Sequence, residues 1–424
     1  MSARTRTLWI TLLTLTALVN QFSVNVVRPS TTYKVDALGG DATMVGIIAA
    51  AYAIIPLISA MSLGRLAQRS STLTVLMASG LIIMAAGSAG IALSPTVWGM
   101  IAGTAALGFG QLVFTIGGQS AVSRVAGESN VDAAFGWFTA GVSAGQMLGP
   151  LVGGWIISSG PGGGDLSLGG IDASIWVGGL VTIPGAVVLL LTLFLRRHGL
   201  DRAARAPQKK ESEKKDEEKA SALHILQRPR IGSHILASAG LLALTDILVA
   251  FVPLLGQNAG LTPTMVGMLL AIRGIGSLVS RLLLGYLTTR IRRELLLVIS
   301  LLVSTLCFGT LPWIIGVFWL AMTTTFVGGF FLGLGQPLTM TIITMAVPPD
   351  WRSPALALRL VGNRLGQVVI PLTAGAIAAP AGPSGAIWVG AGVQLLSAAE
   401  QSRHLRRDPG GKGTKGQDDD EADD

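Results

Sequence analysis

Charge is scarce in this chain: Asp, Glu, Lys and Arg make up 13% of its 424 residues, while 50% are hydrophobic. A soluble protein of this length needs far more charge to cover its surface, so a soluble fold is excluded. Cysteine is almost absent, and the lone Cys307 rules out a disulfide framework or a cysteine metal cluster. None of the four histidines (His198, His224, His234, His404) falls deep in an apolar run, which argues against a histidine proton relay. The glycine-rich stretch 160–164 lacks the GxxxxGK[ST] pattern, so no built-in ATP motor is expected. No nucleophile–base or metal-ligand constellation appears, and the chain reads as neither an enzyme nor a cofactor-binding protein.

What the chain has in quantity is apolar runs. Twelve occur, near 8–27, 43–62, 73–93, 98–118, 135–157, 174–195, 231–252, 265–284, 295–311, 317–341, 355–378 and 385–400. Each approaches the ~20 residues that a helix needs to cross a bilayer. The last is short and is weakened by Gln394, Glu400 and Gln401. The expected fold is therefore an all-α membrane protein of twelve transmembrane helices. Arg4 and Arg6 precede the first run, Arg65 and Arg69 follow the second, and Arg290, Arg292 and Arg293 follow the eighth. The opposite loops hold few basic residues, with Lys34 the main exception. The positive-inside rule then places both termini in the cytoplasm, and the chain is expected in a bacterial-type plasma membrane. The net charge of +8 reflects these loops and not a nucleic-acid surface. Residues 8–19 have the apolarity of a signal-peptide core, but no small-x-small cleavage site follows, so this run is expected to stay as the first span.

The chain repeats itself. Gly141-x₃-Gly145-Gln146-x₃-Pro150-Leu151-x₂-Gly154 recurs, 221 positions on, as Gly362-x₃-Gly366-Gln367-x₃-Pro371-Leu372-x₂-Gly375. The same offset aligns Leu63-Gly64-x-Leu66-x₂-Arg69 with Leu284-Gly285-x-Leu287-x₂-Arg290. Gly108-x-Gly110-Gln111 and Ile175-Trp176-Val177-Gly178 recur at slightly different offsets as Gly333-x-Gly335-Gln336 and Ile387-Trp388-Val389-Gly390. The reading is two six-helix pseudo-repeats, 1–195 and 231–402. They are joined by a charged cytoplasmic linker over 196–230 and followed by a disordered acidic tail over 403–424. Duplicated membrane halves are how secondary transporters rock around a central site.

Two sets of six helices with a charged central loop resemble the major facilitator superfamily. Gly145, Gly149, Pro150, Gly153 and Gly154 match every position of the antiporter motif found in the fifth helix of that family's drug:proton exporters. Glycines four apart admit a close neighbour, and Pro150 removes a backbone hydrogen bond. The resemblance implies that this seam, packed against the eighth helix, seals one side of the pathway. It also implies a gating role for Gly64, Arg69, Gly285 and Arg290 in the loop signature. There the chain departs from the family: Gln68 and Thr289 stand where an acid is usual. The family's basic residue in the fourth helix is missing too.

Asp246 is the one acid clearly inside a predicted span, roughly 10 Å from its end at 1.5 Å per residue. Arg273, in the next span, falls at similar depth. An ion at that depth needs a partner, so Asp246 is expected to carry the coupling proton with Arg273 as its modulator. Polar stripes at helical spacing mark an expected substrate cavity: Gln21, Asn25 and Arg28; Gln111, Thr115 and Gln119; Thr325, Gln336 and Thr339; and Asn363, Arg364 and Gln367. The expected function is export of a small molecule in exchange for protons, by a chain that works as a monomer in the lipid bilayer. Proton-coupled or facilitated import of an organic anion, and a non-transporting membrane sensor or scaffold, are the alternatives.

Overall fold

The computed structural model describes residues 3–70, 72–126, 131–160, 166–195, 226, 228, 230–348 and 351–407. Every extended element among them is helical. The first half holds α1 (Ala3–Ala37), α2 (Ala42–Arg69), α3 (Leu73–Leu93), α4 (Val97–Ala126), α5 (Val131–Ser158), α6 (Leu168–Leu180) and α7 (Thr182–Leu195). The second holds α8 (Ile231–Asn258), α9 (Pro263–Arg290), α10 (Arg293–Ile314), α11 (Phe318–Met345), α12 (Arg352–Ala381) and α13 (Pro383–Arg407).

Helices α6 and α7 are two pieces of a single apolar span, Leu168–Thr192. Pro184 explains the break, since it has no N–H to offer the carbonyl of Leu180, one turn back. Among the described residues, eleven spans are long and apolar enough to cross a membrane; α13 is long enough but too polar. It nonetheless packs on α8, α10 and α12 as the twelfth member of the bundle, with Gln394 and Gln401 buried against its neighbours. It also runs to Arg407, past the boundary expected at 402. Nearly all of the linker and the rest of the tail lie outside the described residues.

Chain duplication is visible down to single turns. Gly39 and Gly260, 221 positions apart, both take φ 75 in the turns after α1 and α8. Only glycine adopts this conformation freely. Two residues on, Asp41 and Thr262 cap the next helices, each accepting from the backbone N–H three residues later. The helix packing repeats as well: α1 on α5 matches α8 on α12, and α3 on α4 matches α10 on α11.

The halves meet where α2 packs on α12, α5 on α9, and α1 and α2 on α8. Two of these are related seams at the end of the bundle far from the termini. A Cβ on Gly267 would strike the carbonyl of Pro150, and one on Gly46 would lie 2.6 Å from the carbonyl oxygen of Pro371. These are equivalent contacts, because both pairs are 221 positions apart. Ser158 accepts from the backbone N–H of Thr264 (3.2 Å), and Gln257 donates to Asp36 (2.9 Å), across the same end. Near the termini, Gly64, Gly136, Gly232 and Gly285 face open space, with nothing within 4 Å of where a Cβ would stand. The far end is shut.

Candidate functional site

At mid-depth the two halves are tied by one polar chain. Arg28 on α1 donates through Nη1 to Oδ1 of Asp246 on α8 at 2.6 Å. Gln367 on α12 donates to the other oxygen, Oδ2, also at 2.6 Å. The Gln367 carbonyl accepts from Nη1 of Arg364 at 2.9 Å. The Arg28 guanidinium lies 4.3 Å from the ring centre of Tyr52 on α2. Both ion-pair side chains are nearly dry, at 11% and 7% exposed. On the far side of Arg28 the remaining space is about 20 Å³, room for one water.

This corrects the expected pairing. Arg273 does not bond Asp246; it is buried on α9, within electrostatic range of that carboxylate, and its Nε has no partner. Depth alone suggested the α8–α9 pair. The rotation of each helix decides the contact instead, and α1 crosses α8 at the centre of the interface. Asp246 is the only buried acid among the described side chains, while Arg28, Arg273 and Arg364 all approach it.

The repeats differ in charge here. At the 221-residue offset, Asn25, Tyr52 and Ser143 of the first half correspond to Asp246, Arg273 and Arg364 of the second. Gln146 and Gln367 are retained. The second half thus holds the charges that the first lacks, and only Arg28 reaches across from α1.

The stripes expected to line a cavity separate into three groups. Gln21, Thr115 and Gln119 do line one, of about 200 Å³, between α1, α4 and α5. Asn25 does not: it is turned into the α1–α5 contact beside Gly149, bonding back to the Gln21 carbonyl at 2.8 Å. Gln336 does not either, because Ser238 and Arg359 use its amide at 2.7 Å each. Thr339 is fully buried against the carbonyl of Gln336, and Thr325 is buried without a partner. Gln111 and Asn363 each hold a buried carbonyl oxygen with no donor.

The glycine motif of α5 also divides. Gly145 and Gly149 press on the α1 backbone at Leu18, Phe22 and Asn25, and Gly153 faces Val26 and Ser174. Only Pro150 and Gly154 meet α9, at Gly267 and Pro263. Arg65, Arg69 and Arg290 lie in the last turns of α2 and α9, not in loops. Arg290 rests on Tyr286, 5.6 Å from its ring centre. The end of α2 is held by Arg124 of α4, which donates to the carbonyls of Ala67, Gln68 and Ser70. Lys34, read as a loop residue, is 2% exposed inside α1. Its ammonium bonds the last carbonyls of α3 at Ile91 (2.9 Å) and Ala92 (2.5 Å), and Asp172 of α6 (2.7 Å). A buried ammonium requires such partners, and the apolar-run boundary at 27 hid the extra turns of α1. No group of His, Cys, Asp or Glu among the described residues has the arrangement of a metal site.

The overall arrangement is shared with solved transporters. A bacterial homolog of the human lysosomal transporter Spinster, in an inward-facing and unoccupied conformation, superposes with a TM-score of 0.70 at 16% identity, covering 96% of this chain and 99% of its own. The nucleoside transporter NupG gives 0.73 at 15% identity, with coverage of 94% and 99%. A D-xylose-proton symporter gives 0.69 at 14%, with coverage of 93% and 97%. At such identities the likeness is one of fold. No curated protein matches the sequence. The sequence does match the family described as Major Facilitator Superfamily, over residues 13–258 and 235–420, so that both halves are covered. With its paired six-helix halves meeting at a single buried polar chain, this protein is a multi-pass membrane transporter, not an enzyme, and belongs to the Major Facilitator Superfamily.

Proposed function

We propose that the chain carries a small organic anion together with protons across the bacterial plasma membrane, by alternating access, with Asp246 as the proton site. One observation supports this reading above others: a lone buried carboxylate is tied across the halves by Arg28, where guanidinium groups outnumber carboxylates. An anion that binds Arg28 competes with Asp246 for it. An anion that draws Arg28 away leaves Asp246 Oδ1 unpaired, and a proton bound there takes the place of the lost partner while Gln367 keeps Oδ2. Anion and proton then load together, each strengthening binding of the other. Parting Arg28 from Asp246 also removes one tie between the halves, which favours the alternative state. With both termini cytoplasmic, the closed far end is the outer face. One chain supplies both halves, so a monomer suffices.

Export in exchange for protons is the second reading. It is favoured by the complete α5 motif, whose Pro150 and Gly154 sit on the closed seam. In that case a cationic or neutral cargo competes with the proton for Asp246, and the two move in opposite directions.

Purified protein in vesicles loaded with a pH-sensitive dye separates these readings. Carboxylates, amines and neutral analogues are added outside, and proton movement is followed. Protons entering with a carboxylate support co-transport; protons leaving as an amine or neutral compound enters support exchange. Asp246→Asn at equal abundance is expected to abolish either signal, and proton-coupled flux that survives it overturns the proposal.

A further inference from the structure

We infer that the cargo bears, besides its anionic end, an aromatic ring with a hydrogen-bond donor, seated in a cavity within the first half. This rests on the proposed carriage of an anion and names the substrate class of the same pathway. The cavity of about 200 Å³ between α1, α4 and α5 is lined by Phe114, Phe135 and Phe138 together with Gln21, Thr115 and Gln119. An apolar-lined space of roughly 150 Å³ already admits a benzene ring. Three phenyl groups offer it edge and face contacts, and the amides suit polar substituents.

Asymmetry between the halves gives the second, independent argument. Thr115 and Phe138 stand 221 positions before Gln336 and Arg359, the register in which Gly108 against Tyr52 matches Gly329 against Arg273. In the second half Arg359 fills the equivalent space and donates to the Gln336 carboxamide oxygen at 2.7 Å and to its backbone carbonyl at 3.0 Å. In the first half Phe138 and Thr115 make no such bond, and the space beside them opens into the cavity, edged by Gln21 and Gln119. The vacated arginine site is thus a ring-sized space with hydrogen-bonding side chains in its wall.

The third argument is distance. Gln21 lines the cavity, and Arg28 lies two turns further along the same face of α1, about 10 Å away at 1.5 Å per residue. A hydroxy- or amino-substituted arylalkanoic acid spans that length, with its carboxylate at Arg28 and Arg364 and its ring among the phenylalanines.

Calorimetric titration of the purified full-length protein in lipid nanodiscs tests this with 3-(4-hydroxyphenyl)propionate, 3-phenylpropionate, heptanoate and the amide of the first. The hydroxyaryl acid is expected to bind about tenfold more tightly than the phenyl acid, and the phenyl acid about tenfold more tightly than heptanoate. Gln119→Leu, which removes an amide from the cavity wall, is expected to erase the hydroxyl gain while leaving the aryl gain in place. Phe135→Leu, a milder change at a half-buried position, is expected to erase the aryl gain. Carboxylates that bind without aryl or hydroxyl preference, or a hydroxyl gain that survives Gln119→Leu, overturn this inference and leave the anion reading standing. Binding of the amide in preference to every acid, or no binding of any acid, overturns both.

Discussion

The far-end seams allow one prediction to be worked through from geometry. Gly267 and Gly274 lie two turns apart on α9 and both face α5. A Cβ on Gly267 would overlap the Pro150 carbonyl oxygen and stand 3.0 Å from its carbon, and both are backbone atoms that cannot rotate away. A Cβ on Gly274 would lie 3.7 Å from the Gln146 carbonyl oxygen, an ordinary contact. Gly267→Ala therefore forces the seam apart, whereas Gly274→Ala fits as it stands. Overpacking of this kind costs about 1–3 kcal/mol, and only in the state where the far end is closed. That corresponds to a shift of about 5- to 150-fold toward the far-end-open state. The assay is the spin-label distance between Asp36→Cys and Gln257→Cys, whose parent side chains bond across this end at 2.9 Å. The single native thiol is removed by Cys307→Ser. A long-distance population is expected to grow in Gly267→Ala and to stay unchanged in Gly274→Ala. Equal behaviour of the two variants would refute the assignment of this seam as the gate.

Other outcomes follow from the same contacts. Arg28→Gln or Asp246→Asn alone is expected to cost about 3–5 kcal/mol, since each strands a buried charge or its partners. The double variant should cost less than the sum by about 1–3 kcal/mol in equilibrium unfolding, and strict additivity would deny the pair. Lys34→Met is expected to destabilise by about 2–5 kcal/mol through loss of the α3 carbonyl bonds, as read by thermal unfolding. Asp172→Asn, at a side chain 33% exposed, should cost no more than about 1 kcal/mol. In the same measurement Gln336→Leu should cost about 1–3 kcal/mol by depriving Arg359 of its acceptor, whereas Gln111→Leu should be neutral or stabilising.

Much of this architecture was legible in the amino-acid order. Apolar runs report where a chain can live in hydrocarbon, because each backbone group there must be satisfied within its own helix. A fixed offset between motifs reports duplication, and it predicts the matching turns at Gly39 and Gly260 as well as the paired seams. Asp246 stood out because an acid in an apolar run demands a partner. What the order of residues could not supply was the identity of that partner. Helical periodicity describes one helix at a time, and depth pointed to Arg273 on the neighbouring span. Only the packing of α1 on α8 turned Arg28 toward Asp246, moved Asn25 against α5 and closed Gln336 onto Arg359. The same packing left the Gln111 oxygen without a donor, which its place in a helical stripe could not reveal. Composition and repeat determine the bundle because they govern burial from lipid; tertiary contacts determine the site because hydrogen bonds and ion pairs depend on rotation and distance at the scale of one ångström.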